Sequence, residues 1–294
     1  MIVRVAVCQY ETELADKAEN IRRSLNWLQR AADEEADLAV LPELITSGYS
    51  AGEDHLEMAE PVPGPVTDQW GEVARAAGMH IIAGMSRRDE GLSGVIYNSA
   101  VLINPEGEVV GVYDKAVPPL YLHTLYSEGE TLMIQEAELF RRGNALPVFA
   151  TDIARFGLQV CQDAVYGEFV RVQARRGAEI VVQVFNHPAP EEPSSDILPD
   201  VTRVHAWENG VYVVAANKCG MEVSSYRGVE NEVRFQGESH IADPYGEIIA
   251  RAAVDRPDLL LAELDTRQVR KAQWMSKFHR DYRSDLLWEL IDEL

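Results

Sequence analysis

The sequence predicts an α/β protein. Short apolar runs of strand length recur from one end of the chain to the other and alternate with longer amphipathic stretches. Turn signals, Asn104-Pro-Glu-Gly107 and Asp243-Pro-Tyr-Gly246, split two of the apolar stretches into hairpins. Several runs stop at one chemically distinctive side chain, which is where open α/β architectures collect their chemistry.

Taken in order, a strand over 2–8 leads to a helix over about 15–35 with Ile21, Leu25 and Leu28 on one face. A strand over 37–41 precedes Glu43. A helix over 67–77 and a strand over 80–85 follow, then the hairpin strands 96–103 and 108–113. The segment 116–135 carries Pro118-Pro119 and several aromatics without a period, and reads as a long ordered loop near a pocket. The pattern then restarts. Strands are expected at 147–150, 156–160 and 179–184, with a helix over 169–176 between the last two. A helix over 197–209 and a strand over 211–216 precede the hairpin 239–243 and 247–252, a strand over 259–264 and a helix over 266–273.

Composition narrows the function. The 294 residues are 46% hydrophobic, enough for a sizeable core, and no linker-like stretch divides them. We read one domain over 1–275 and a tail over 276–294, where Leu286-Leu-Trp288-Glu-Leu-Ile291 suggests a short amphipathic helix that packs either on its own domain or on another copy. A net charge of −21 argues against a nucleic-acid partner and against an anionic membrane surface. No signal peptide and no membrane-spanning run is evident. Three cysteines, Cys8, Cys161 and Cys219, suit a reducing cytoplasm. The seven histidines and the cysteines form no metal-ligand spacing, and no phosphate loop appears, so neither metal nor cofactor is expected.

Three residues stand out at predicted strand ends. Cys161 closes the run Phe156-Gly-Leu-Gln-Val-Cys161 and precedes a turn into a helix. Backbone N–H groups and the positive end of that helix would lower its pKa. Read locally, the thiol is either a nucleophile or a buried structural cysteine. Glu43 follows Leu38-Ala-Val-Leu-Pro, and Lys115 follows Val109-Val-Gly-Val-Tyr-Asp. An acid, an ammonium and a thiol therefore occupy equivalent places.

These segments resemble the nitrilase (carbon–nitrogen hydrolase) superfamily, whose catalytic set is Glu-Lys-Cys in that chain order. Gln9 looks like the end of its first strand. Pro42-Glu43 with Gly48-Tyr49 looks like its glutamate motif, Asp114-Lys115 like its lysine motif, and Cys161 with Asp163 like its cysteine motif. Glu136-Ala-Glu-Leu-Phe140-Arg-Arg-Gly143 is similar to its Glu-x-x-x-Phe-x-x-Gly, whose glutamate is a second acid at the site. Later segments, Glu208 to Asn217 and Phe235 to Gly246, also match. The resemblance implies a four-layer α-β-β-α sandwich with two stacked mixed β-sheets, and a homodimer or larger assembly.

It also implies roles. Cys161 attacks, Lys115 and the Gln162 backbone N–H hold the oxyanion, and Glu43 shuttles the proton. Glu136 positions Lys115, orients the substrate amine, or is an ordinary helix-start acid. Asp163 either caps a helix or contacts substrate; Tyr49 lines the pocket or packs; Asn186 borders the pocket. A Cys-His dyad using His187 or His240 is the competing site. Cys161-Gln162-Asp163 lies nearer the amidase and N-carbamoyl hydrolase branches than the Cys-Trp-Glu of nitrilases. Tyr166-Gly167-Glu168 lacks the proline usual there, and Ala206-Trp207-Glu208-Asn209 departs from the usual Arg-Ala-x-Glu-Asn. The expected substrate is a small linear amide or N-carbamoyl (ureido) amine, the alternative a nitrile. A silent scaffold of the same fold is the reading from another class.

Overall fold

The structure is a computed structural model that describes residues 1–119, 122–123, 131–132, 136–189, 197–226, 229–276 and 278–286. The chain runs β1 (Ile2–Gln9), α1 (Lys17–Asp33), β2 (Leu38–Val40), α2 (Asp54–Met58), α3 (Pro65–Ala77), β3 (His80–Arg88), β4 (Ile96–Ile103) and β5 (Val109–Asp114). Two short pieces, β6 (Leu122–His123) and β7 (Thr131–Leu132), precede α4 (Glu136–Leu139), β8 (Val148–Ala150) and β9 (Arg155–Val160). After α5 (Gly167–Arg175) come β10 (Ile180–Phe185), α6 (Leu198–Asn209), β11 (Tyr212–Asn217), β12 (Cys219–Tyr226) and β13 (Val229–Gln236). The described chain ends with β14 (His240–Ala242), β15 (Ile248–Arg251), β16 (Asp258–Asp265), α7 (Arg267–Ser276) and α8 (Phe278–Asp281).

Two six-stranded sheets result, ordered β16-β1-β2-β3-β4-β5 and β15-β14-β11-β10-β9-β8. Each has three parallel central strands and antiparallel flanks. Side-chain alternation along the strands builds the layers. Val3, Val5 and Val7 of β1 face Phe156, Leu158 and Val160 of β9 and Ile180, Val182 and Val184 of β10 in the core between the sheets. Ala6 and Cys8, one residue out of phase, face Trp27, Leu28 and Ala31 of α1 and Trp70 and Ala74 of α3. On the far side, Val181 and Val213 pack against Val170 and Ala174 of α5 and Ala206 of α6. The order is therefore helix, sheet, sheet, helix, the sandwich the resemblance implied.

One element differs from expectation. The β12–β13 hairpin lies in a stretch where no strand is expected, and on β12 the polarity is inverted. Glu222 is buried on β12, whereas Met221 and Val223 beside it are exposed. As expected, the chain turns after Cys161 before it enters a helix: residues Cys161–Val165 form a 3₁₀ turn, and α5 begins at Gly167. Most of the long segment over 116–135 and the expected helix over 287–291 lie outside the described residues. Near the tail, the His279 carbonyl accepts from Arg175 of α5, and its imidazole bonds the Asn209 carbonyl of α6. Among the described residues no helix is long and apolar enough to cross a membrane, and no cluster of three acidic, histidine or cysteine side chains could hold a metal.

Candidate active site

Four chain segments, those that follow β2, β5, β9 and β10, meet where strand ends of the two sheets face each other. Glu43 lies three residues past β2, on a turn pinned to β3 by the Gly84 N–H to the Pro42 carbonyl (3.0 Å) and the Ile45 N–H to the Gly84 carbonyl (3.1 Å). Lys115 follows β5, its N–H donating to the Asn98 carbonyl of β4 (2.8 Å) and its carbonyl accepting from the Gly143 N–H (2.8 Å). Gly143 is required there, because a Cβ would sit 2.1 Å from the Asp114 carbonyl oxygen. Cys161 follows β9 and Asn186 follows β10. Cys161 and Leu44, the residue after Glu43, both hold a left-handed backbone with φ 47°. That conformation is costly for a side chain with a Cβ and clusters at functional sites.

The side chains form one buried polar unit. Lys115 Nζ donates to Glu43 Oε1 at 2.9 Å and to Glu136 Oε2 at 2.8 Å, with all three groups shielded from solvent. Asn98 Nδ2 ties the same two acids together, at 2.6 Å to Glu43 Oε1 and 2.8 Å to Glu136 Oε1. Tyr49 donates its hydroxyl to Glu136 Oε2 at 3.1 Å. Asn186 holds Glu43 from the other sheet, N–H to Oε2 at 2.7 Å and Nδ2 to the Glu43 carbonyl at 3.0 Å. Asn186 Oδ1 has no partner among the described residues.

Electrostatics assigns charge states. Burial alone would lower the Lys115 ammonium, but the Glu136 and Glu43 carboxylates reverse this and hold it well above the usual lysine range. Burial raises Glu136, against the pull of Lys115. Burial and the Glu43 carboxylate raise the Cys161 thiol well above its usual value, outweighing Lys115 and the Asn186 N–H. The local expectation of a lowered thiol is thus reversed. The start of α5 lies beyond the 3₁₀ turn, while two acids invisible in the local segment stand within electrostatic reach.

The remaining expected residues divide. Asp163 is fully buried, and its carboxylate accepts from the Tyr113 hydroxyl (2.7 Å) and the Val117 and Ala116 N–H groups (2.8 and 3.3 Å). It fastens the Lys115 segment rather than capping a helix, and burial raises its pKa. Gln162 is partly exposed beside the thiol. His240 has both ring nitrogens engaged, with Thr202 Oγ1 (3.0 Å) and the Glu238 carbonyl (2.8 Å), and belongs to no dyad with Cys161. Asn98 was missed. Its signal was an amide within the apolar strand Ile96-Tyr-Asn-Ser-Ala-Val, where a buried amide needs partners. A second buried ion pair, Lys218 with Glu222, was also missed.

Known proteins resemble the chain over nearly its whole length. A family model described as carbon-nitrogen hydrolase matches residues 4–273. A protein of Pyrococcus abyssi named nitrilase is 30% identical, covering 92% of either chain. Human omega-amidase NIT2 is 26% identical, covering 96% of either chain. The crystal structure of a carbon-nitrogen hydrolase from Helicobacter pylori superposes with a TM-score of 0.85 at 24% identity, covering 99% of each chain, and shares the fold.

Proposed function

The chain belongs to the carbon-nitrogen hydrolase family, and on that premise we propose that it hydrolyses a small linear amide or N-carbamoyl amine, releasing ammonia through a thioester on Cys161. The observation that carries this reading is the Lys115 ammonium held between two buried carboxylates, Glu43 and Glu136, all within electrostatic reach of the thiol. A protonated resting thiol needs a base at the moment of attack. Glu43 takes the Cys161 proton as the S–C bond forms, and Lys115 with the Gln162 N–H faces the oxygen that gains charge. Glu43 then protonates the leaving nitrogen as the C–N bond breaks. In the second half, Glu43 deprotonates a water that attacks the thioester, and the proton returns to sulfur as the C–S bond breaks. Glu136 keeps Lys115 in place, and Asn186 Oδ1, unpartnered among the described residues, accepts from the substrate NH2 group.

A nitrile is the second reading, favoured by the name of the Pyrococcus relative. The residues after the nucleophile, Gln162 and Asp163, argue for the amide. The test is ammonia release from a panel of amides, ureido acids and nitriles, with Cys161→Ala as the blank. We expect turnover of amides or ureido compounds that the blank lacks. Turnover confined to nitriles would replace the first reading with the second. A Cys161 that no electrophile labels would sink both in favour of a silent scaffold.

A further inference from the structure

Behind the site lies a buried ion pair that the proposed chemistry does not use. Lys218, between β11 and β12, and Glu222 of β12 are bonded to each other and both hidden from solvent. Lys218 Nζ also donates to Thr12 Oγ1 (2.9 Å) and sits 4.1 Å from the centre of the Phe235 ring. Glu222 gathers the turn that follows Glu43. It accepts the Tyr49 N–H on both oxygens (2.9 and 3.1 Å), the Ser50 N–H (2.9 Å) and the Thr12 hydroxyl (3.2 Å). Gly48 makes that approach possible, with φ 79° and space in which a Cβ would lie 2.8 Å from Glu222 Oε1.

The Tyr49 peptide is held from its other end as well. Its carbonyl accepts from His55 Nε2 at 3.1 Å, and His55 Nδ1 is bonded to Ser86 Oγ. The Tyr49 ring meets Phe235 edge-on at 6.1 Å. With backbone and ring fixed, the phenol has one direction, and that direction ends on Glu136 Oε2. A buried ion pair is a poor way to gain stability, since apolar residues of similar volume commonly do as well. Its value here is geometric.

We propose that Lys218 and Glu222 are a positioning pair for the active site, which fixes Tyr49 and through its hydroxyl sets the place and protonation of Glu136. The inference deepens the hydrolase reading and rests on it. Neither residue touches substrate. Glu136 is faced by Lys115, Glu43, Tyr49, Cys161 and His55. Of these, Tyr49 is the one neutral donor the pair controls. Losing a donor to a carboxylate raises that carboxylate's pKa. Loosening the pair should therefore shift the acidic limb of the rate profile toward higher pH.

The experiment is a double-mutant cycle with Glu222→Gln, Tyr49→Phe and their combination, on the full chain. Two readouts are followed against pH: kcat and KM for the amide or ureido compound of the panel turned over fastest, and the rate of Cys161 alkylation by iodoacetamide measured by intact mass. The second needs no substrate. Each single variant should lose roughly tenfold in kcat, as expected of a displaced catalytic group, with KM little changed and the acidic limb moved up. The double variant should be no worse than the poorer single. Effects that multiply, or a Glu222→Gln protein that only melts earlier while its pH profile stays in place, would overturn the proposal. If Glu222→Gln does not fold, Thr12→Val, which takes a hydroxyl from both members, enters the same cycle with the same two outcomes. Ammonia release by Cys161→Ala would instead refute the hydrolase reading and leaves the alkylation profiles of the other variants to judge the pair.

Discussion

Asn98→Leu is the most direct test of how the two acids are kept apart from solvent and close to Lys115. Leucine fills nearly the same space in β4 but has no donor. The backbone carbonyl that holds the Lys115 N–H is retained, so the lysine segment stays anchored. What disappears is the pair of bonds from Nδ2 to Glu43 Oε1 (2.6 Å) and Glu136 Oε1 (2.8 Å). A hydrogen bond to a charged group contributes about 1.5–3 kcal/mol. Both bonds exist in the resting state, so only the part that changes as Glu43 gains and loses its proton bears on the rate. We take that part as about 3 kcal/mol in all, or a loss on the order of 100-fold in kcat/KM. The assay is ammonia release over a pH series, alongside thermal melting to confirm folding. The acidic limb should move up, because Glu136, already raised by burial, loses one of its donors. A folded Asn98→Leu protein within about threefold of the parent, a change of well under 1 kcal/mol, would refute the reasoning.

Three further outcomes follow from the same geometry. Lys115→Met should abolish ammonia release and cost about 3–5 kcal/mol of stability at neutral pH, since it leaves buried carboxylates without their cation. The sign with pH is fixed: Glu136 is then raised further above its unfolded value, so the penalty grows as pH rises, and the melting difference from the parent should be smaller near pH ~5 than near pH ~8. Cys161 alkylation should keep accelerating from neutral pH to beyond about pH 9, because burial and Glu43 keep the thiol protonated there; a plateau near neutrality would contradict this. Gly143→Ala should reduce activity and melting temperature together, since its Cβ would meet the Asp114 carbonyl oxygen at 2.1 Å and displace Lys115; an unchanged kcat would show that the lysine segment tolerates the shift.

Legibility in the sequence tracked how local the cause was. Glu43, Lys115 and Cys161 could be picked out because each ends an apolar run, and a strand end is a position that a linear pattern reveals. The helix over 15–35 and the paired hairpins were legible for the same reason, and the stacking of two sheets required the family resemblance. Glu136 was indistinguishable from a helix-start acid without that resemblance, although its carboxylate bonds Lys115, Asn98 and Tyr49. The direction of the Cys161 shift was misjudged because it depends first on burial, and then on the Glu43 and Glu136 carboxylates, far from it in the chain, neither of which the local segment reveals. Lys218 and Glu222 could not be seen at all. Lys218 precedes β12, and β12 turns Glu222 inward and Met221 and Val223 outward, so its alternation argues for the wrong face.

The site is assembled across the seam between the two sheets, and this sets what its precision depends on. Glu43, Lys115 and Asn98 come from one sheet, Cys161 and Asn186 from the other. Polar links across the seam at this end include Asn186 to Glu43, Asp163 to Tyr113, Ala116 and Val117, and Ser239 to Gln9. Between the sheets, under these links, lies the aliphatic layer of Val40, Ile82, Leu158, Val160 and Val184, which spaces thiol and base. Such a layer tolerates small losses of volume in stability terms before it tolerates them in geometry. Val160→Ala, one residue before the thiol, removes two buried methyl groups and should cost about 1–3 kcal/mol of stability. It also lets the Cys161 turn sink toward the opposite sheet, and misplacing a nucleophile by about 1 Å can cost on the order of 100-fold in rate. Activity should therefore fall further than the melting temperature suggests, while Val181→Ala, on the outer face of the neighbouring strand β10, should lose comparable stability and keep its rate. Equal losses of rate in the two variants would show that the seam does not set the site.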